Sequence, residues 1–334
     1  MSIDTNSRGD RKSPVALFVS RLVRVLIAGG LLWYAARGVN GADLAQALSD
    51  ASWGWLGLAV FLVVVDRTVM AWRWLVLLRA IEGVQAPGLL PVLRVFFVST
   101  FVGTFLPGSV GGDALRAMGL SRLGVSTANA VASVAADRLL GTVSVFLMAA
   151  VGVGLVGQLV DSALLPLTGL TALVAGAVTY GLLFDARVFR WMLSRLGVRR
   201  WPTIDRLAHK FLAAVGQYAS HKRVLGQVLT MSIAVQVLRT LQTWCLGLAL
   251  GLTISGFWYF ATVPVIVLVV LLPLSFGGLG TANVAFVTLF AAAGVERDAA
   301  FVLSVVFLAL GTVGNLPGGL LLATGRASQF DVKT

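Results

Sequence analysis

Long apolar runs recur along almost the whole chain, and they constrain its fold more than any other feature. A membrane-spanning helix needs roughly 20 predominantly apolar residues. The runs near 22–36, 55–78, 89–106, 128–156, 163–184, 224–250, 256–273 and 298–323 are each candidate spans, with a shorter apolar piece at 279–293. The expected fold class is an all-α, polytopic integral membrane helix bundle. Composition closes off the soluble alternative: 12% of the 334 residues are charged and 58% are hydrophobic, where soluble domains carry about 25% charge.

The formal charge of +12 raises nucleic acid as a partner. The basic residues, however, are interrupted by apolar runs and are not gathered on a soluble face, which excludes that class and leaves membrane lipid, anionic phospholipid above all. One cysteine, Cys245, excludes an internal disulfide, and His209 with His221 cannot build a His/Cys zinc cage. No metal and no other cofactor is expected. Residues 1–21 are basic and polar, and the first apolar run lacks a small-residue cleavage site, which reads as an uncleaved anchor with a cytoplasmic start.

Two Pro/Gly interruptions organise the rest. Leu106-Pro107-Gly108-Ser109-Val110-Gly111-Gly112-Asp113 recurs as Leu272-Pro273-Leu274-Ser275-Phe276-Gly277-Gly278-Leu279 at an offset of 166 residues, which also carries Arg73 onto Arg239. Leu140-Gly141-Thr142-Val143 is echoed by Leu310-Gly311-Thr312-Val313 after a small insertion. The chain therefore reads as a transmembrane domain over 22–323 holding repeat 1 (about 55–156), a basic cytoplasmic segment (185–223) and repeat 2 (about 224–323), followed by a short cytoplasmic tail, 324–334.

If every run crossed the membrane, the basic segment would fall outside, against the positive-inside tendency. A first break that turns back, with a half-helix from about 111 to 123 returning to the cytoplasm, puts it inside and makes the two copies inverted. Broken helices meeting near the midplane are a transporter design, because unwound backbone is tolerated in a membrane only where it is buried or lines a polar cavity. The alternative, that Pro107 and Pro273 merely end two ordinary helices, stays open at this level. The basic segment carries apolar residues at near-helical spacing, as interfacial helices on anionic lipid would. Trp33, Trp53, Trp55, Trp72 and Trp74 read as an interfacial belt.

Within the spans lie Arg67, Arg73, Arg94, Arg138 and Arg239 against Asp66 and Asp137, with Asp113 at the first break. Each such charge costs about 2.5–3.5 kcal/mol at a helix centre when unpaired, so these groups must pair, snorkel or face a wet cavity. Asp66 and Arg73 share a helical stripe, whereas Asp137 and Arg138 are adjacent and need different neighbours. The excess of positive charge calls for an anion. Arg73, Arg138 and Arg239 are the candidate head-group ligands, and Asp66, Asp113 and Asp137 set charge balance or carry a coupling proton. Gly111 and Gly112 open a half-helix whose free N–H groups favour phosphate, with Ser109 adding a hydroxyl. Asp113 is expected to cap that helix or to pair with Arg116, and Gln236, Arg239 and Thr243 share a polar face beside the second break, which holds Pro273, Ser275, Gly277 and Gly278.

Arg73-Trp74-Leu75, Phe105-Leu106-Pro107-Gly108, Gly111-Gly112-Asp113, Arg116 and Asp137-Arg138, together with Pro273, Ser275, Gly277-Gly278-Leu279-Gly280 and the Gly294-Val295 turn, resemble the lysylphosphatidylglycerol synthase transmembrane region, also called the flippase-like or UPF0104 family. The resemblance covers about 20–323. It implies an inner-membrane protein that moves or handles lipids, in a family whose members act on aminoacylated phosphatidylglycerol, hopanoid and polyprenyl-linked glycan pathways. The chain departs from the family pattern at Thr281-Ala282-Asn283, where an acidic residue is common, and in Phe301–Leu310, where relatives often carry a basic one. Ending at Thr334, it has no room for a soluble lysyl-transferase domain, so that activity is not expected. The leading expectation is a non-enzymatic lipid translocase for an anionic phospholipid or polyprenyl-linked lipid, with both termini in the cytoplasm. The alternatives are a non-catalytic accessory of a lipid- or glycan-modifying enzyme and, less favoured, a membrane transferase using Asp66, Asp113 or Asp137.

Overall fold

A computed structural model of the chain describes residues 49–105, 110–156, 221–271 and 278–324, with Tyr218 and scattered positions between 170 and 177. Nine helices fill these described stretches. They are α1 (Trp53–Arg79), α2 (Leu89–Thr104), α3 (Val110–Arg122), α4 (Thr127–Val156), α5 (Lys222–Ala249), α6 (Gly256–Leu271), α7 (Thr281–Ala291), α8 (Arg297–Val313) and α9 (Leu316–Ala323). Trp53–Arg79, Thr127–Gly152, Lys222–Ala249 and Arg297–Ala323 are long and apolar enough to cross a membrane. The protein is an all-α, multi-pass membrane helix bundle.

The order long, short, short, long occurs twice, the last long member being α8 and α9 taken together over Arg297–Ala323. In the first copy α2 has 16 residues and α3 has 13. At 1.5 Å per residue neither reaches the roughly 30 Å thickness of the hydrocarbon core. The second copy repeats this with α6 and α7, of 16 and 11 residues. Both short pairs end in the same turn: Val125 N–H donates to Leu120 C=O around Gly124 (φ +91°), and Val295 N–H to Phe290 C=O around Gly294 (φ +77°). A glycine there reaches positive φ without Cβ strain.

The two first helices, α1 and α5, pack along each other in opposite directions. Ser52 N–H, at the start of α1, donates to Ala249 C=O at the end of α5. Leu77 and Leu78, at the other end of α1, share a core with Leu225 and Val228 near the start of α5. Across the copies, α4 packs on α6 and α9 on α2. Glycines let both pairs close: a Cβ on Gly152 of α4 would overlap the Phe260 carbonyl, and one on Gly318 of α9 would overlap the Phe97 carbonyl.

Two apolar cores sit at opposite ends. One joins Leu77, Val95, Leu120, Ala130, Tyr218 and Leu225. The other joins Ala59, Leu246, Tyr259, Phe286, Ala300 and Leu303. Between them lies a polar layer drawn from α1, α3, α4 and α5.

Two expectations change. The run 298–323 is not one continuous helix but breaks at Gly314 and Asn315 between α8 and α9, where a Cβ on Gly314 would strike Val63. Trp53, Trp55 and Trp72 are exposed as a belt requires, but Trp74 is fully buried and its Nε1 donates to Ser133 Oγ at 3.2 Å. The first run, most of the 163–184 run and most of the basic segment lie outside the described residues.

Candidate functional site

Each acidic group of the polar layer receives a guanidinium from another helix. Asp137 of α4 is the most enclosed. Arg73 of α1 donates from Nε to Asp137 Oδ1 at 2.8 Å and from Nη1 to Ser232 Oγ of α5 at 2.9 Å. Arg116 of α3 takes the second oxygen, Nη1 to Oδ2 at 3.3 Å. Its guanidinium also lies 4.3 Å from the Phe96 ring centroid, so a charge taken out of water meets both a carboxylate and an aromatic face. A Cβ on Gly141 would lie 3.5 Å from the Arg73 guanidinium nitrogens, an ordinary contact distance, so Gly141 packs directly on that group.

Asp66 of α1 forms a second centre. Arg67 Nη1 donates to its Oδ2 at 3.1 Å, and Arg239 Nε of α5 lies 3.7 Å from Oδ1. Oδ1 is buried and receives no hydrogen bond from the described residues. Arg67 also reaches Gly311 C=O of α8 at 3.5 Å. The third pair is the open one: Arg138 Nε lies 2.9 Å from both oxygens of Asp113, and the Arg138 side chain is 42% exposed.

These pairings differ from the expected ones. Asp113 holds Arg138 rather than Arg116, and Arg116 is buried against Asp137. Asp66 and Arg73 share a stripe yet serve different neighbours. Asp137 and Arg138, adjacent in sequence, do face opposite partners. Arg94 is exposed and stands apart from the layer.

The layer surrounds connected spaces. A cavity of about 330 Å³ is lined by the polar Asp66, Arg67, Arg138, Arg239, Gln242 and Asn315. The rest of its lining includes the apolar Val63, Val267, Val270, Leu271, Phe307 and Leu308. Thr104, the last residue of α2, and Leu271, the last of α6, both line it, so the described residues flanking the two Pro/Gly breaks open on one space. A second cavity of about 200 Å³ is lined by Ser99, Gly103, Gly112 and Arg116, and shares Thr104, Arg138 and Asn315 with the first. A small pocket of about 50 Å³ lies against Arg73, Asp137, Gln236 and Arg239.

The glycines of the first break have a packing role. A Cβ on Gly112 would come within 3.1 Å of Ser99 C=O, and one on Gly103 within 3.2 Å of Gly112 Cα, so this pair sets the approach of α3 to α2. Gly111 sits in the first turn of α3, half-buried. Gly278 is buried with φ +84° and its carbonyl accepts Ala282 N–H at the start of α7. Asn283 Oδ1 caps that helix by accepting Gly280 N–H at 2.9 Å, and its Nδ2 donates to Ser304 Oγ at 2.6 Å. The neutral Asn283 thus secures the second half-helix without a charge. Ser109, Pro273, Ser275 and Gly277, like Pro107, lie outside the described residues. Gln236 donates to Ser144 Oγ at 3.2 Å, and Thr243 is buried with its hydroxyl on Arg239 C=O.

Sequence patterning alone assigns no site role to Asn315, Thr104 or Gln242. Asn315 Nδ2 donates to Thr104 Oγ1 at 2.9 Å, while the Thr104 hydroxyl donates to Thr100 C=O. The amide therefore ties the α8–α9 break of the second copy to the end of α2 in the first. Its one signal in the sequence is the Gly314-Asn315-Leu316-Pro317 run, a Gly/Pro break inside an apolar stretch. The family model described as lysylphosphatidylglycerol synthase TM region matches residues 21–318. No curated protein matches the chain.

Proposed function

Because the chain belongs to the lysylphosphatidylglycerol synthase TM region family, we propose that it translocates an anionic lipid across the inner membrane, with the head group passing through the Arg138 and Arg239 cavity. The carrying observation is the mixed lining of that cavity: guanidiniums of Arg67, Arg138 and Arg239 share it with apolar Val267, Val270 and Phe307. A free anion has no use for the apolar lining, whereas a lipid has a use for both. Guanidinium forks match phosphate oxygens in pairs.

Roles within the layer follow exposure. Arg138 and Arg239 contact the head group. Arg73, 3% exposed and bonded to Asp137 and Ser232, holds the layer together rather than touching the ligand. Asp113 and Asp66 balance charge and compete with the phosphate. The opposite course of α1 and α5 and the repeated short helices support two inverted repeats, α1–α4 and α5–α9, with α2–α3 and α6–α7 as re-entrant pairs. Rocking of one repeat against the other about the shared cavity alternates its access. In this reading, residues 22–323 are the translocating domain, and the basic segment 185–223, the amino terminus and the tail 324–334 lie in the cytoplasm.

Flipping of a fluorescent anionic lipid in reconstituted liposomes tests this. Arg138→Ala and Arg239→Ala should each abolish most of the flipping above protein-free vesicles. Full rates in both variants would remove the proposed site.

A further inference from the structure

The polar layer has a countable charge. Among the described residues, five guanidiniums (Arg67, Arg73, Arg116, Arg138 and Arg239) ion-pair with three carboxylates (Asp66, Asp113 and Asp137). The two unmatched positive charges are not in one place. One belongs to the Asp137 centre, where Arg73 and Arg116 share a single carboxylate, and it faces the 200 Å³ cavity through Arg116. The other belongs to the Asp66 centre, where Arg67 and Arg239 share a single carboxylate, and it faces the 330 Å³ cavity. The Arg138–Asp113 pair is neutral, and its Arg138 lines both cavities. The sequence of the two breaks, 106–112 and 272–279, adds no charged side chain.

We infer that the lipid head group is a dianionic phosphomonoester, one negative charge answering each of the two guanidinium centres. The inference rests on reading this cavity as the lipid site. A phosphodiester such as phosphatidylglycerol carries one charge and leaves one centre uncompensated in a desolvated layer, which is the costly arrangement. A dianion brings the layer to neutrality, and its oxygens can accept from Arg138 once Asp113 yields it. Asp113 is then the anion that holds the exposed guanidinium before a lipid enters, with the same two-oxygen geometry a phosphate presents.

The test compares three probes in nanodiscs of phosphatidylcholine: phosphatidic acid, phosphatidylglycerol with the same acyl chains, and an isoprenyl monophosphate. Binding is read at a pH well above the second phosphate ionisation of about 6. Phosphatidic acid or the isoprenyl monophosphate should bind about tenfold or more tightly than phosphatidylglycerol, the scale of one unscreened charge contact. Which of the two binds more tightly identifies the source of the dianion. The phosphatidic acid advantage should shrink as pH falls through the second ionisation. Arg239→Gln, which lowers the excess by one, should bring the phosphatidic acid to phosphatidylglycerol ratio towards one. Because that readout is a ratio within one preparation, misfolded protein cancels from it. Equal binding of the three probes in the unmodified chain, or a ratio untouched by Arg239→Gln, would overturn the dianion assignment alone. Absence of binding by every anionic probe would instead overturn the cavity as a lipid site.

Discussion

At the scale of single residues, the arginines of this layer divide by how completely their partners enclose them. Arg73, Arg116 and Asp137 form a buried group in which two guanidiniums share one carboxylate and Arg116 also lies on the Phe96 ring face. Removing the carboxylate leaves two buried cations facing each other, and breaking a buried pair by deleting one partner costs about 3–5 kcal/mol. Asp137→Asn should therefore lower the thermal unfolding midpoint of the detergent-solubilised protein markedly. Arg138→Ala should leave it within about 1 kcal/mol of the parent, since half-exposed pairs contribute little, while abolishing lipid flipping. A large stability loss in Arg138→Ala would place that residue in the scaffold rather than at the ligand. The sequence makes these positions conspicuous because a charge in an apolar run is expensive. It cannot assign their partners, because stripe and spacing speak only for one helix. Asp66 and Arg73 look matched and are not, and Arg116 is pulled into the interior by Asp137, on a different helix that no periodicity connects to its own.

At the scale of elements, helix ends are legible wherever a glycine or a polar turn closes an apolar run. A helix expected to begin at about 111 and end at 123 spans Val110–Arg122, and the run at 224–250 appears as Lys222–Ala249. The break at Gly314 and Asn315 is hidden, because one apolar stretch continues on both sides and a glycine inside a helix is often tolerated. What that break achieves is contact: α9 turns so that Gly318 and Gly319 lie against Phe97 and Phe101 of α2. Small residues permit such approach between helices that gain nothing from shedding water inside lipid. Gly318→Leu forces α9 off α2 and should destabilise the protein by about 1–3 kcal/mol or more. A methyl group added at Gly226 of α5 would meet nothing within 4 Å, and Gly226→Ala should stabilise by about 0.5–1 kcal/mol through helix propensity. Chemical denaturation in mild detergent distinguishes the two, and equal effects would deny that the α2–α9 contact is tight.

At the scale of the whole molecule, the two ends of the bundle differ in charge as well as in core. The end that gathers Leu77, Leu120 and Leu225 also carries exposed Arg79, Arg94, Arg122, Lys222 and Arg223, with Glu82 among them. The end that gathers Ala59, Phe286 and Ala300 carries Asp50, Glu296 and Asp298, with Arg297. Lys and Arg bias sets membrane orientation far more than acidic residues do, so the first end is expected to face the cytoplasm. The fold relates this bias to the proposed transport: α1 runs towards the basic end and α5 away from it, and the polar cavity lies between the two cores. Under the proposed function, a head group taken at either face passes the same guanidiniums. Orientation is testable with single cysteines in a Cys245→Ser background, because the native thiol is buried. A membrane-impermeant maleimide added to intact spheroplasts should label Glu296→Cys and spare Glu82→Cys until the cells are opened. Both positions are exposed, so a missing signal cannot be blamed on burial. Labelling of Glu82→Cys from outside would invert the bundle and turn the acidic end to the cytoplasm. Labelling of both from outside would mean that the chain between them does not cross the bilayer an odd number of times.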